Sequence, residues 1–141
     1  MPSDTQAAPV SKKGLWAGRI MSGLAVAFLA FDVVLKFLKP APAPVVEAFA
    51  HLGWSLSLAP VLGTILLVST VLYVIPNTSV FGAIVLTGYL GGAVSTHLRA
   101  GDPLFSHVLF PTYLGVLLWG GLYLREERLR ALLPFRRPNA A

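Results

Sequence analysis

The sequence has no cysteine. That excludes disulfides, thiol redox catalysis, cysteine-ligated Fe–S clusters and covalent attachment of a c-type haem. Charge is nearly as scarce. Only 12% of the residues are Asp, Glu, Lys or Arg, about half of the ~25% found in soluble domains. So little charge argues against a soluble enzyme, a disordered segment or a nucleic-acid-binding module. A net charge of +5 and a pI near 10.0 would suit nucleic acid, but the basic residues sit at the ends of apolar runs, which is the membrane pattern. What is abundant is apolar surface: 55% of the 141 residues are hydrophobic, and the mean hydropathy is +0.72. The length suits one domain.

A bilayer core about 30 Å thick takes about 20 apolar residues of helix. Four stretches meet that length: Trp16–Leu38, Leu56–Ile75, Val80–Leu98 and His107–Leu124. Only the first contains charge, at Arg19, Asp32 and Lys36. It is too long for the apolar region of a signal peptide and ends in Asp32 and Lys36, so it reads as a membrane span. Pro76-Asn77-Thr78-Ser79 is a turn between spans two and three, and Gly101-Asp102-Pro103 centres the loop before span four. Short loops make spans two to four antiparallel neighbours. Between spans one and two, Pro40-Ala41-Pro42-Ala43-Pro44 is extended. A short amphipathic helix follows over Val45–Leu52, starting at Pro44 and stopping at Gly53. It is expected to lie on the membrane surface and cap the bundle. The expected fold is all-α, an integral membrane four-helix bundle with this cap helix. Residues 1–14 form a flexible tail, 15–125 the membrane domain and 126–141 a basic tail.

Lys12, Lys13, Arg19, Arg125, Arg128, Arg130, Arg136 and Arg137 fall on one side, leaving Lys36, Lys39 and Arg99 on the other. The excess of Lys and Arg marks the cytoplasmic side, so both termini are expected there, in a multi-pass protein. Trp16, Tyr73, Trp119 and Tyr123 fall near that boundary, and Trp54 and Phe105 near the outer one. The run from Arg125 to Arg130 reads as a helix end anchored on anionic head groups. Span three carries Gly88 and Gly92 beside Gly91 and Ser95, with Gly82, Ala83 and Ala93 extending the small surface. Such spacing lets helices approach closely, so span three is expected to be central and to touch at least two others. Span four offers Gly115, Gly120 and Gly121.

This topology gathers Asp32, Lys36, Lys39, Glu47, His51, His97, Arg99, Asp102 and His107 at the outer end. Asp32 sits about 9 Å inside the end of its helix. A carboxylate at that depth needs partners, and Lys36, four residues on, shares its face. His97 and Arg99 are the other candidates. Two readings are open: a polar pocket that binds a head group or passes protons, and an ion pair fixing span one against span three. His97 and His107 bracket a loop in which Arg99 and Asp102 look like an ordering pair. Two histidines could ligate a metal or haem, but their spacing matches no metal motif, and no metal is expected. Tyr89, two turns below His97, extends a polar track into the membrane. The candidate ligand-binding residues are therefore Asp32, Lys36, Tyr89, His97, Arg99, Asp102 and His107.

Span one with Asp32 and Lys36, PVVEAFAHLG from Pro44 to Gly53, LTGYLGGAVSTHLR from Leu86 to Arg99, and Gly101-Asp102-Pro103 together resemble the DoxX-like family of small bacterial membrane proteins. The likeness covers about residues 15–125 and is most specific in span three. It implies a four-helix protein of the bacterial inner membrane. Namesake members belong to quinone-reducing oxidoreductases acting on thiosulfate, although nothing in this sequence is specific to thiosulfate. The resemblance and the polar rim suggest an accessory subunit binding a lipophilic molecule such as a quinone, with redox-enzyme subunits or further copies of itself as partners in the bilayer. The alternatives are a cofactor-dependent membrane oxidoreductase and a small oligomeric transporter.

Overall fold

A computed structural model describes residues 9–133. The outer parts of the two expected tails, with Arg136 and Arg137, lie outside the described residues. The helices are α1 (Lys12–Phe37), α2 (Ala43–His51), α3 (Ala59–Val74), α4 (Ser79–Ala100), α5 (Phe110–Arg125) and α6 (Glu127–Leu132). Four segments are long and apolar enough to cross a membrane: Lys12–Phe37, Leu56–Val74, Ser79–Ala100 and Leu104–Arg125. The fold is thus an all-α bundle of four membrane-spanning helices, as expected from the sequence.

Local chemistry sets the boundaries. Helix α1 starts before Trp16 because the Ser11 side chain accepts a hydrogen bond from the Gly14 N–H at 3.1 Å and caps the first turn. Helix α4 starts where Ser79 Oγ donates back to the Ile75 carbonyl at 2.9 Å. The fourth span begins earlier than His107, because a π-helical turn at Leu104–Val108 leads into α5. There Leu109 N–H donates to the carbonyl of Leu104 at 2.9 Å.

Helix α1 packs against α3 and α5, and α4 packs against the same two helices. The spans therefore form a square with α1 and α4 on one diagonal. The core runs along its axis through Ala25, Leu29, Leu66, Tyr73, Leu86, Leu118 and Leu122. Tyr73, one residue before the end of α3, is fully buried, and its hydroxyl is satisfied by hydrogen bonds. It donates to the Leu118 carbonyl at 2.7 Å and lies 2.8 Å from Ser22 Oγ. One phenol thus ties α3 to both α1 and α5, and both hydrogen bonds satisfy a hydroxyl that is buried in the core.

The Pro-rich connection delivers α2 across one end of the square. Val45 and Phe49, four residues apart on one helical face, pack on Ala59, Leu35, Leu58 and Leu62. Gly53 takes the left-handed conformation that ends this segment, with φ 71°. At the other end the short helix α6, not resolved in the sequence reading, buries Leu129 in the core.

The close helix approaches differ from those expected. Span three does touch two neighbours, but Gly88, Gly91, Gly92 and Ser95 are exposed. A Cβ added at any of the three glycines would meet nothing within 4 Å. The tight contacts lie at Gly82, one of the small residues expected in span three, at Gly121 of span four, and at Gly18 of span one. A Cβ at Gly18 would sit 2.8 Å from the Gly121 carbonyl oxygen, and one at Gly82 would stand 2.6 Å from the Tyr73 Cα. Gly18, Gly82 and Gly121 are the glycines that allow backbones to meet.

Candidate functional site

The end of the bundle where α1 ends and α4 meets α5 holds all three histidines. Its organising residue is Asp102. Helix α4 closes in a left-handed turn at Gly101, φ 75°, with the Asp102 N–H donating to the His97 carbonyl at 3.1 Å. Pro103 keeps the helix from continuing. This turn folds Asp102 back over the last turn of α4. Its Oδ2 lies 2.6 Å from His97 Nδ1, and its Oδ1 lies 2.6 Å from His51 Nε2. The carboxylate is therefore bridged by two imidazoles from different elements. Its side chain is 8% exposed, against 26% for His97 and 58% for His51. The hydrogen bond from His97, then that from His51, holds the Asp102 carboxyl below its ordinary range, against the opposing effect of desolvation.

Arg99 completes the junction. Its Nη2 donates to the Leu52 carbonyl at 2.6 Å, just past the end of α2. A cation there satisfies a carbonyl that the helix leaves open and complements the helix dipole. The C-terminal ends of α2 and α4 are thus joined twice, through His51 with Asp102 and through Arg99 with Leu52. The expected Arg99–Asp102 pair does not form. Asp102 takes the histidines instead, because the Gly101 turn aims it at His97, while Arg99 reaches the cap helix.

His107 lies beside this junction. Its ring centroid is 6.1 Å from that of His97, with the rings tilted by 59°. His107 Nδ1 lies 2.8 Å from Ser106 Oγ. Among the described residues, the Nε2 atoms of His97 and His107 have no hydrogen-bond partner.

Asp32 is paired separately. Lys36 Nζ donates to its Oδ2 at 2.5 Å within α1, and Lys36 is the more buried partner, 12% exposed against 32%. Among the described residues no ion pair joins Asp32 to His97 or Arg99, so the α1 pair does not lock span one to span three. The structure therefore brings His97, Asp102 and His107 together and sets Arg99 against the cap, while Asp32 pairs with Lys36 on α1 and Tyr89 packs against the hydrophobic core. His51 was outside the sequence-derived set although it contacts the central carboxylate. Its position at the end of the cap helix was the available signal.

A groove of about 330 Å³ lies between α4 and α5, lined by Leu90, Gly91, Val94, Pro111, Thr112 and Trp119 among others. None of the sequence-derived site residues lines it. Val94 lies one turn before His97, however, and Pro111 one turn after His107, so the groove runs toward the imidazoles. Trp119 Nε1 donates to Thr87 Oγ1 at 2.8 Å across its inner end.

These features define a multi-pass α-helical membrane protein with a histidine–carboxylate junction at one end. Residues 20–121 match the DoxX-like family, and the chain belongs to that family. No curated protein and no solved structure matches it.

Proposed function

We propose that this protein is an accessory subunit of a redox-linked complex in the bacterial inner membrane, where it binds a lipophilic, quinone-like ligand. Both termini face the cytoplasm in this reading, a side supported by the excess of Lys and Arg there, and the ligand binds at the outer end. The observation that carries the proposal is the pair of imidazoles at 6.1 Å, each one turn along its segment from a lining residue of the α4–α5 groove, Val94 or Pro111. The groove is apolar enough for an isoprenoid or alkyl tail. A ring carbonyl needs a hydrogen-bond donor, and a ring hydroxyl needs a proton acceptor. With Asp102 accepting from His97 Nδ1–H, the other ring nitrogen, Nε2, has no hydrogen-bond partner among the described residues. It serves as the acceptor for a hydroquinone hydroxyl, and Asp102 stabilises the imidazolium that forms. Electrons pass to or from a partner subunit. The exposed small residues Gly88, Gly91, Gly92 and Ser95 support such a neighbour, because small residues let another helix approach.

The test is a titration of purified protein with decylubiquinone, followed by quenching of tryptophan fluorescence. His97→Ala and Gly91→Leu are each expected to weaken binding by about tenfold. Gly91→Leu narrows the groove without a clash inside the bundle. Equal affinity in the wild type and both variants would remove the ligand from this end of the molecule.

A further inference from the structure

At the opposite end, where α1 begins and α3 and α5 end, a cavity of about 260 Å³ opens between those three helices. Arg19 and Arg125 form its charged rim, and Gly23, Val26 and Val74 its apolar wall. Among the described residues neither arginine has a carboxylate partner. The ion pairs among the described residues are Lys36 with Asp32, and His51 and His97 with Asp102. Glu126 and Glu127 follow Arg125 in sequence, yet neither pairs with it.

The guanidinium groups are held by their faces instead. Arg125 Cζ lies 5.3 Å from the centroid of Tyr73, and Arg19 Cζ lies 5.7 Å from that of Trp16. Stacking of this kind orients a guanidinium while leaving its N–H edge free. Arg125 Nε is buried without a hydrogen-bond partner among the described residues. A buried charged donor left unsatisfied is unfavourable by more than a neutral one. The Tyr73 hydroxyl gives no relief, since it is committed to Ser22 and Leu118. The rim therefore presents fixed positive charge with donors in want of an acceptor, and a phosphate matches a guanidinium fork in charge and shape.

The wall identifies the source of that phosphate. Gly23 and Val26 lie one and two turns deeper than Arg19 in the same membrane-spanning helix. A Cβ added at Gly23 would meet nothing within 4 Å, so there is room for a chain beside α1. A free anion gains nothing from this apolar wall, whereas an acyl chain does. We propose that the cavity binds an anionic phospholipid, with its phosphate between Arg19 and Arg125 and its acyl chain along Gly23, Val26 and Val74. This site is independent of the quinone-binding reading.

Native mass spectrometry of the full-length protein in detergent tests it, with dioleoylphosphatidylglycerol and dioleoylphosphatidylcholine as probes and inorganic phosphate as competitor. Phosphatidylglycerol is expected to bind the more tightly. The Arg19→Gln/Arg125→Gln variant should lose about tenfold or more of that affinity. Gly23→Leu, which keeps every charge and sits at an open position, should also weaken it, while the exposed Arg128→Gln should change it by less than about twofold. An equal loss in Arg128→Gln would reduce the effect to diffuse surface charge and overturn the site. Unchanged affinity in Gly23→Leu would overturn the acyl-chain placement. Displacement of the lipid by equimolar phosphate would reassign the cavity to a free anion.

Discussion

Gly18 and Gly121 bring α1 and α5 into backbone contact: a Cβ on either would come within 2.8 Å of the other's carbonyl oxygen. Both atoms belong to backbone inside helices, so neither can yield without moving a span. Gly121→Val is therefore expected to destabilise the bundle by about 1–3 kcal/mol through overpacking. Gly88→Ala, on the open face of α4, should be neutral or stabilising by up to about 1 kcal/mol through helix propensity. Reversible unfolding in mixed micelles measures both. Equal effects at the two positions would refute this assignment of the close contacts.

The Tyr73 hydroxyl links α3 to Ser22 on α1 and to the Leu118 carbonyl on α5. Tyr73→Phe is expected to lower stability by about 0.5–2 kcal/mol, the range of an interhelical hydrogen bond. Ser22→Ala should have a smaller effect in the Tyr73→Phe background than in the wild type. A double-mutant cycle reads the difference, and strictly additive losses would mean that the two hydroxyls do not interact.

The spans and the cap helix were legible in the sequence because length, hydropathy and Pro–Gly punctuation report them directly. Which face of each span turns inward was not. In a bilayer the lipid-facing side is as apolar as the core, so hydrophobic periodicity says little about direction. That is why Gly88, Gly91 and Gly92 of span three looked like a packing seam, although Gly82 of the same span, with Gly18 and Gly121, makes the close approaches. Asp32 with Lys36 was legible from i,i+4 spacing. The bond from Arg99 to the Leu52 carbonyl was not, because a backbone acceptor has no residue signature. His51 could be placed at the correct end, but its bond to Asp102 depends on where the Pro-rich segment sets α2.

Lys36 is the principal compensation for Asp32 inside α1. Lys36→Met leaves the carboxylate without its ammonium partner, and a loss of about 1–3 kcal/mol is expected. Adding Asp32→Asn to Lys36→Met should recover part of that loss, since the uncompensated charge is then gone. Chemical denaturation of the two variants in micelles decides it. A double variant less stable than Lys36→Met alone would show that Asp32 has another essential partner.

Asp102 links stability to pH with a definite sign. Its carboxyl is held below the usual range in the folded protein, chiefly by His97 and then by His51. A group whose folded pKa is depressed contributes stability that is fully present above its unfolded value of about 3.9 and is lost as the pH falls through the lower folded value. At neutral pH the wild type should therefore be more stable than Asp102→Asn, and the margin should shrink as the pH is taken below about 4. The junction it stabilises joins the ends of α2 and α4, so α2 should loosen in the same window. Melting curves of both proteins between pH 7 and pH 2, with hydrogen exchange across Ala43–His51 as the local probe, test this. A margin that stays constant through the acid range would mean that the Asp102 bridge contributes nothing to holding the cap helix in place.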